Sequence, residues 1–143
     1  QHRVFIEIFN KPSIEFIGSP VINSSGILGQ VINNNNFLEV LLLTDKSHVI
    51  PVESENHFCN AEGNGTPGKI YCTYSNLLWP EEIKQGQGFF SSGMGGVYPR
   101  GLLIGFVGEI KKIDDSIIRF EIDLVTDPLQ ENILGVLENL WTM

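Results

Sequence analysis

Apolar side chains occupy every second position from Ile118 to Leu124, with Arg119, Glu121 and Asp123 between them. A period of two puts each set on its own face of a strand, so this segment reads as a strand with a core face and a wet face. Leu102 to Ile110 is its antiparallel partner, and Asp114-Asp115-Ser116 closes the turn that joins them. Val4 to Phe9 keeps the same period, but Phe5 and Phe9 fall on one face and Val4, Ile6 and Ile8 on the other, so both faces are largely apolar. Ser24-Ser25-Gly26 marks a turn between Val21-Ile22 and Ile27-Leu28. The run Asn33-Asn34-Asn35-Asn36 separates Ile27 to Ile32 from Phe37 to Leu43 and reads as a hairpin tip, because Asn tolerates the left-handed backbone.

The middle of the chain is punctuated by Gly and Pro. Asn60 to Gly68 is a loop whose arms are His57-Phe58-Cys59 and Ile70 to Tyr74. Leu77 to Glu82 is a connection with room for one helical turn, interrupted by Pro80. Gln85 to Gly101 carries six Gly around Phe89-Phe90, which reads as a short buried strand between turns. Glu131 to Leu140 is ambiguous: Leu129, Ile133, Leu137 and Leu140 fit a helical stripe, Ile133-Leu134 and Val136-Leu137 suit a strand, and Gly135 weakens both.

Composition sharpens this picture. The chain has 17 Ile, 10 Val and 9 Phe but a single Ala, Ala61, which favours pleated surfaces over helices. With about ten short strands, closure into small barrels is the economical way to remove exposed edges. The fold class is therefore all-β, mostly antiparallel, with little helix. The 143 residues, 42% of them hydrophobic, can fill one core or two small ones that share an interface. A formal charge of -8 repels a phosphate backbone and argues against nucleic-acid binding. No apolar run exceeds Val40 to Leu43, far short of a membrane helix. The first residue is Gln rather than Met, as expected of a processed form or an excised fragment.

Candidate chemistry is sparse. Ser91-Ser92-Gly93 after a strand invites comparison with a serine nucleophile, in which case His2, His48 or His57 would be the base. In a two-barrel protease an Asp lies between the His and the Ser, yet none occurs between Asp45 and Asp114, and Glu62, Glu81 and Glu82 sit in or beside loops. His57, Cys59 and Cys72 are one ligand short of a closed zinc site. The two cysteines suit either a cross-strand disulfide, if the compartment is oxidising, or two reduced residues buried as small hydrophobes. Gly86-Gln87-Gly88 lacks dinucleotide-binding spacing, and no P-loop is present. We therefore expect no catalytic, cofactor or metal site.

The order of the segments resembles a known family. Gly18-Ser19-Pro20-Val21-Ile22-Asn23 followed by Gly26 to Val31, then Val40-Leu41-Leu42-Leu43-Thr44-Asp45 and Ile50-Pro51-Val52, is similar to the MreC family of rod shape-determining proteins. So are Ile83-Lys84-Gln85-Gly86 and Ser92-Gly93-Met94-Gly95-Gly96-Val97-Tyr98-Pro99-Arg100-Gly101. Gln87 stands where the family usually has Asp, and Leu102-Leu103 replaces a Leu-Pro pair.

The resemblance implies two small side-by-side β-barrels, with the middle of the chain, about 50–100, mainly in one and the N- and C-terminal parts in the other. It implies no catalysis. It further implies a periplasmic domain of a single-pass inner-membrane protein, whose membrane contact runs only through an N-terminal anchor outside this sequence. Such a domain is a scaffold of the cell-wall elongation machinery. It docks onto an elongation-specific class B penicillin-binding transpeptidase, self-associates, and works beside other membrane proteins of that machinery. The alternatives are a small two-barrel serine hydrolase and a purely homo-oligomeric structural protein.

On the binding reading, large aromatic residues beside loops are the expected anchors. Phe16, Phe37, Trp79 and Tyr98 meet that condition, each with a barrel-end plug as the alternative, while Phe89, Phe90, Phe106 and Phe120 are expected in the core. Val4 to Phe9 could pair with a neighbouring copy.

Overall fold

The alternation read from the sequence becomes eleven strands in a computed structural model that describes residues 3–7, 17–23, 25–34, 37–79, 81–126 and 135–136. In chain order they are β1 (Arg3–Glu7), β2 (Pro20–Asn23), β3 (Gly26–Asn34), β4 (Phe37–Leu42), β5 (Val49–Ser54), β6 (His57–Glu62), β7 (Lys69–Ser75), β8 (Gly88–Ser91), β9 (Leu103–Lys112), β10 (Ile117–Leu124) and β11 (Gly135–Val136). Strands β5 to β10 close into a six-stranded barrel in the order β10-β7-β6-β5-β8-β9, all pairs antiparallel. The remaining strands form a five-stranded sheet, β1-β4-β3-β2-β11. Among the described residues no pair joins β1 to β11. The segment 77–82 takes a turn at Asn76–Leu78 rather than a helical one. Of the ambiguous segment 131–140, only β11 is described.

Along β5, β7, β8 and β10 the buried residues fall on alternate positions, whereas β9, paired through register shifts on both sides, buries Ile104, Gly105 and Val107. Ile50 and Val52 on β5, Ile70 on β7, Phe89 on β8, and Phe120 and Ile122 on β10 are at most 1% exposed. The Phe89 and Phe120 rings meet at 5.4 Å in the centre. Burying one such side chain contributes about 2–3 kcal/mol. The same burial pattern corrects the expectation that Phe90 and Phe106 belong to the core: they are 40% and 44% exposed. Phe90 follows the buried Phe89 and must take the opposite face. Ring atoms of Phe90 and Phe106 both lie 3.6 Å from the position a Cβ would take on Gly88, so the two rings cover a gap in the outer wall.

The β5–β6 hairpin turns at Glu55-Asn56, with Glu55 at φ 51°. The β9–β10 turn is tied by Asp114, whose carboxylate accepts the Ser116 and Ile117 N–H groups at 2.8 and 2.9 Å. Those hydrogen bonds hold it below the usual carboxylate range.

The link between sheet and barrel, 43–48, is fixed by burial. Leu43 and Ile27 sit in the same core cluster as the barrel interior. Gly63 lies against the link so closely that a Cβ there would collide with the Asp45 carbonyl. The N–H groups of Gly63 and Gly65 donate to the His48 and Thr44 carbonyls at 3.2 and 2.7 Å. Asp45, 1% exposed, accepts the Ser47 N–H and hydroxyl at 2.9 and 2.7 Å and lies 3.8 Å from Arg3. Tyr98, expected as an exposed anchor, is instead 3% exposed, with its hydroxyl 2.6 Å from His48 Nε2. It packs with the barrel core because the Gly-rich segment 93–101 folds back over the barrel.

Burial pulls the His48 imidazole down to about 4, against the raising field of Asp45. An unfolded chain's histidine takes up its proton near pH 6.5. Between these values the unfolded state binds more protons than the folded one, so stability falls as pH drops from about 6.5 to about 4. In urea melts at pH 7.5 and 4.5 we expect the wild type to lose about 2–3 kcal/mol more than His48→Gln. Equal losses would contradict this account.

Candidate functional site

The outer wall of a small barrel is mostly polar where it meets water. Across β6, β7 and β10 apolar and aromatic side chains stand among Asn60, Glu62, Thr73 and Arg119. Phe58, Leu78 and Ile113 are 52%, 77% and 55% exposed, and with Tyr71, Tyr74 and Trp79 they line a groove of about 720 Å³. The groove follows a short seam: β6 pairs with β7 only at Glu62–Tyr71, whereas β6 pairs with β5 at six positions and β7 with β10 at seven.

One wall of the groove is the connection after β7, and hydrogen bonds hold it to the barrel. The Asn76 N–H donates to the Ser116 carbonyl at 2.9 Å, and the Leu78 N–H to the Ser75 carbonyl at 3.1 Å. His57 Nε2 lies 2.9 Å from the Glu81 carbonyl. A carbonyl can only accept, so the imidazole proton sits on Nε2, and Nδ1 accepts from the Gln87 side-chain amide at 3.1 Å. The same amide nitrogen is 3.0 Å from Ser54 Oγ, and its oxygen accepts the Lys84 N–H at 3.2 Å. Ile83, 6% exposed, plugs into the core just beyond. The Tyr74 phenol, raised by burial, is hydrogen-bonded to the Ile83 backbone. Trp79 stacks on Tyr74 at 3.9 Å and 16° and lies 4.6 Å from the His57 ring. Leu77 and Leu78 are therefore held outward on a fastened segment, not on a loose one.

At the far end of the groove the Arg119 guanidinium lies 4.4 Å above the Tyr71 ring. Of the residues marked from the sequence, Trp79 belongs to this site, half-buried and packed on the barrel core. Tyr98 lies in the core and does not line the groove. Phe37 is on β4, with its side chain outside the described residues, and Phe16 is likewise outside them. Sequence reasoning missed Leu78, Ile113 and Arg119. The available signal was an apolar residue placed in a turn, as Leu77-Leu78 are, or directly before one, as Ile113 is.

The serine cluster has a structural role. Ser91 is 0% exposed; its hydroxyl donates to the Pro99 carbonyl and accepts the Leu102 N–H at 3.0 Å. Ser92 Oγ accepts the Met94 N–H at 3.2 Å. The ring nitrogens of His48 and His57 bond Tyr98, Glu81 and Gln87, not either serine. Among the described residues no group of three or more His, Cys, Asp or Glu side chains is arranged to hold a metal.

The family model for the rod shape-determining protein MreC, barrel core, matches residues 11–138. The chain belongs to the MreC family. The cell shape-determining protein MreC of Haemophilus influenzae is 31% identical over 98 residues, covering 68% of this chain and 28% of that relative. The chain thus spans little more than a quarter of the length of that relative. MreC from Pseudomonas aeruginosa superposes with a TM-score of 0.72 at 23% identity, over 96% of this chain and 100% of that one. A structure of the complex between a penicillin-binding protein (PBP2) and MreC from Helicobacter pylori matches with a TM-score of 0.59 at 14% identity, over 85% of this chain and 87% of that one.

Both departures from the MreC signature fit their surroundings. Gln87 donates its side-chain amide to His57 Nδ1, a hydrogen bond that a carboxylate, which only accepts, does not offer. Leu103 is the first residue of β9, a strand position that also tolerates proline.

Cys59 on β6 and Cys72 on β7 are joined as a disulfide with Cα atoms 6.1 Å apart, and Cys59 borders the groove. Closing the 13-residue separation contributes about 3 kcal/mol by restricting the unfolded chain. We expect Cys59→Ala/Cys72→Ala, or added reductant, to lower Tm by roughly 10 °C. An unchanged melt in reductant would show that the bond does not contribute.

Proposed function

We propose that this MreC-family chain is a non-catalytic scaffold on the periplasmic side of the cell-wall elongation machinery. It binds an elongation-specific class B penicillin-binding transpeptidase, self-associates, and so helps maintain rod shape. Its membrane attachment lies outside this sequence. The observation that carries the reading is the fastened apolar groove, since a contiguous exposed apolar patch with a polar rim is the anatomy of a protein interface. The family's cell shape-determining relatives support it, as does the Helicobacter pylori complex of MreC with a penicillin-binding protein. A disulfide suits an oxidising compartment. Self-association is supported by β1, an edge strand among the described residues with Phe5 66% exposed.

The test is titration of the chain with the soluble extracytoplasmic part of the class B penicillin-binding protein from the same organism. We expect saturable binding with Kd in the micromolar range. No binding up to about 100 µM, where the free energy of association would fall short of about 5.5 kcal/mol, would contradict the reading.

A further inference from the structure

We infer that the groove across β6, β7 and β10 is the docking site, and that its occupant is an extended segment of the partner protein carrying a large apolar side chain and, two residues on, a carboxylate. This rests on the partner-binding reading above and adds the place and the chemistry of recognition.

The apolar end is built in advance. Phe58, Leu78 and Ile113 present exposed side chains around the half-buried Trp79. The bonds from Asn76, Leu78 and His57 fix the wall that carries Leu78, so little ordering is needed on binding. At the opposite end Arg119 stands among Glu62, Glu109, Lys111 and Glu121. Arg119 stands between Thr73 on β7 and Lys111 on β9 in the strand register. The carboxylates beside it are committed: Glu121 to Lys69 at 2.8 Å, Glu109 to Lys111 at 3.5 Å. Glu62, on the far side of Tyr71, forms no ion pair with Arg119, and among the described residues no carboxylate lies within 4.0 Å of the guanidinium. An arginine seated over an aromatic ring, with no ion pair of its own among the described residues, matches a carboxylate.

The spacing follows from the strands. Ile113 is hydrogen-bonded through its N–H to the Ile117 carbonyl, and Arg119 is two residues further along β10. Two residues of extended chain span about 7 Å, so an extended ligand sets an apolar side chain by Ile113 and a carboxylate by Arg119 with one residue between them. Self-association is assigned above to the edge strand β1, on the other sheet, which leaves the groove to a different protein.

The experiment has two arms. A phage-displayed library of 12-residue peptides is selected on the immobilised 143-residue chain and counter-screened on Leu78→Asp, Ile113→Asp and Arg119→Gln. The same variants, checked for native circular dichroism, are titrated with the extracytoplasmic part of the class B penicillin-binding protein. We expect selected peptides with a large apolar residue and an Asp or Glu two positions later. Each variant should weaken peptide and protein alike by about tenfold or more, and Arg119→Gln should flatten the salt dependence.

Peptides without an acidic residue, no selected peptides at all, or undiminished binding of peptides to the variants would overturn the inference. If the penicillin-binding protein does not bind while the motif is selected and lost in the variants, the groove chemistry stands and the identity of the partner falls. If that protein binds every variant as it binds wild type, the groove falls and the scaffold reading stands. Self-association seen in sedimentation and abolished by Leu78→Asp, without any selected peptide, would assign the groove to a second copy and overturn the inference.

Discussion

A closed antiparallel barrel gives each strand residue one of two places, inside or outside, and a six-stranded barrel has little room inside. Phe89 and Phe120 meet in its centre, and Ile50, Ile70 and Ile122 fill the space around them. A chain rich in Ile, Val and Phe cannot place all of them there. The remainder appear outside as Phe58, Phe90 and Phe106, each beside buried neighbours on its own strand. The surface chemistry of this protein is thus a consequence of closure. Where the exposed rings cover a glycine, as at Gly88, they complete the wall; where the ladder is short, between β6 and β7, they border a groove.

Closure also makes the platform rigid. The linker from sheet to barrel leaves no space at Gly63, and its buried His48 is bonded to Tyr98 and its Asp45 to Ser47. The connection carrying Leu78 and Trp79 is fastened by His57 and Gln87 to β5, β6 and the turn before β8. Polar side chains in this molecule largely serve to hold backbone, as Ser91 does between Pro99 and Leu102. That use of polarity fits a protein that acts by presenting shape.

Much of the fold was legible because period-two patterning and turn residues are local signals. The β3–β4 hairpin around the asparagine run and the β9–β10 pair around Asp114 follow directly from them. The β5–β6 hairpin was harder to see, because Glu55-Asn56 contains no glycine and Pro51 sits inside β5. The site was less legible than the fold. Tyr98 and Phe90 exchanged their expected places since burial depends on which strand lies opposite, which one sequence does not state. Trp79 was marked, but the groove it lines is assembled from β6, β7, β10 and two turns distant in the chain. Arg119 looked like one more charge on a wet face until its seat on Tyr71 became visible.

The most direct measurement is amide hydrogen exchange of the chain alone and saturated with the extracytoplasmic part of the class B penicillin-binding protein. Hydrogen-bonded barrel strands are expected to exchange slowly in both states, so the readout lies in the turns. The account predicts new protection at 76–79 and 113–116, with 93–101 unchanged. Protection confined to β1 or to the Phe90 and Phe106 face, with the groove turns exchanging as in the free chain, would contradict it.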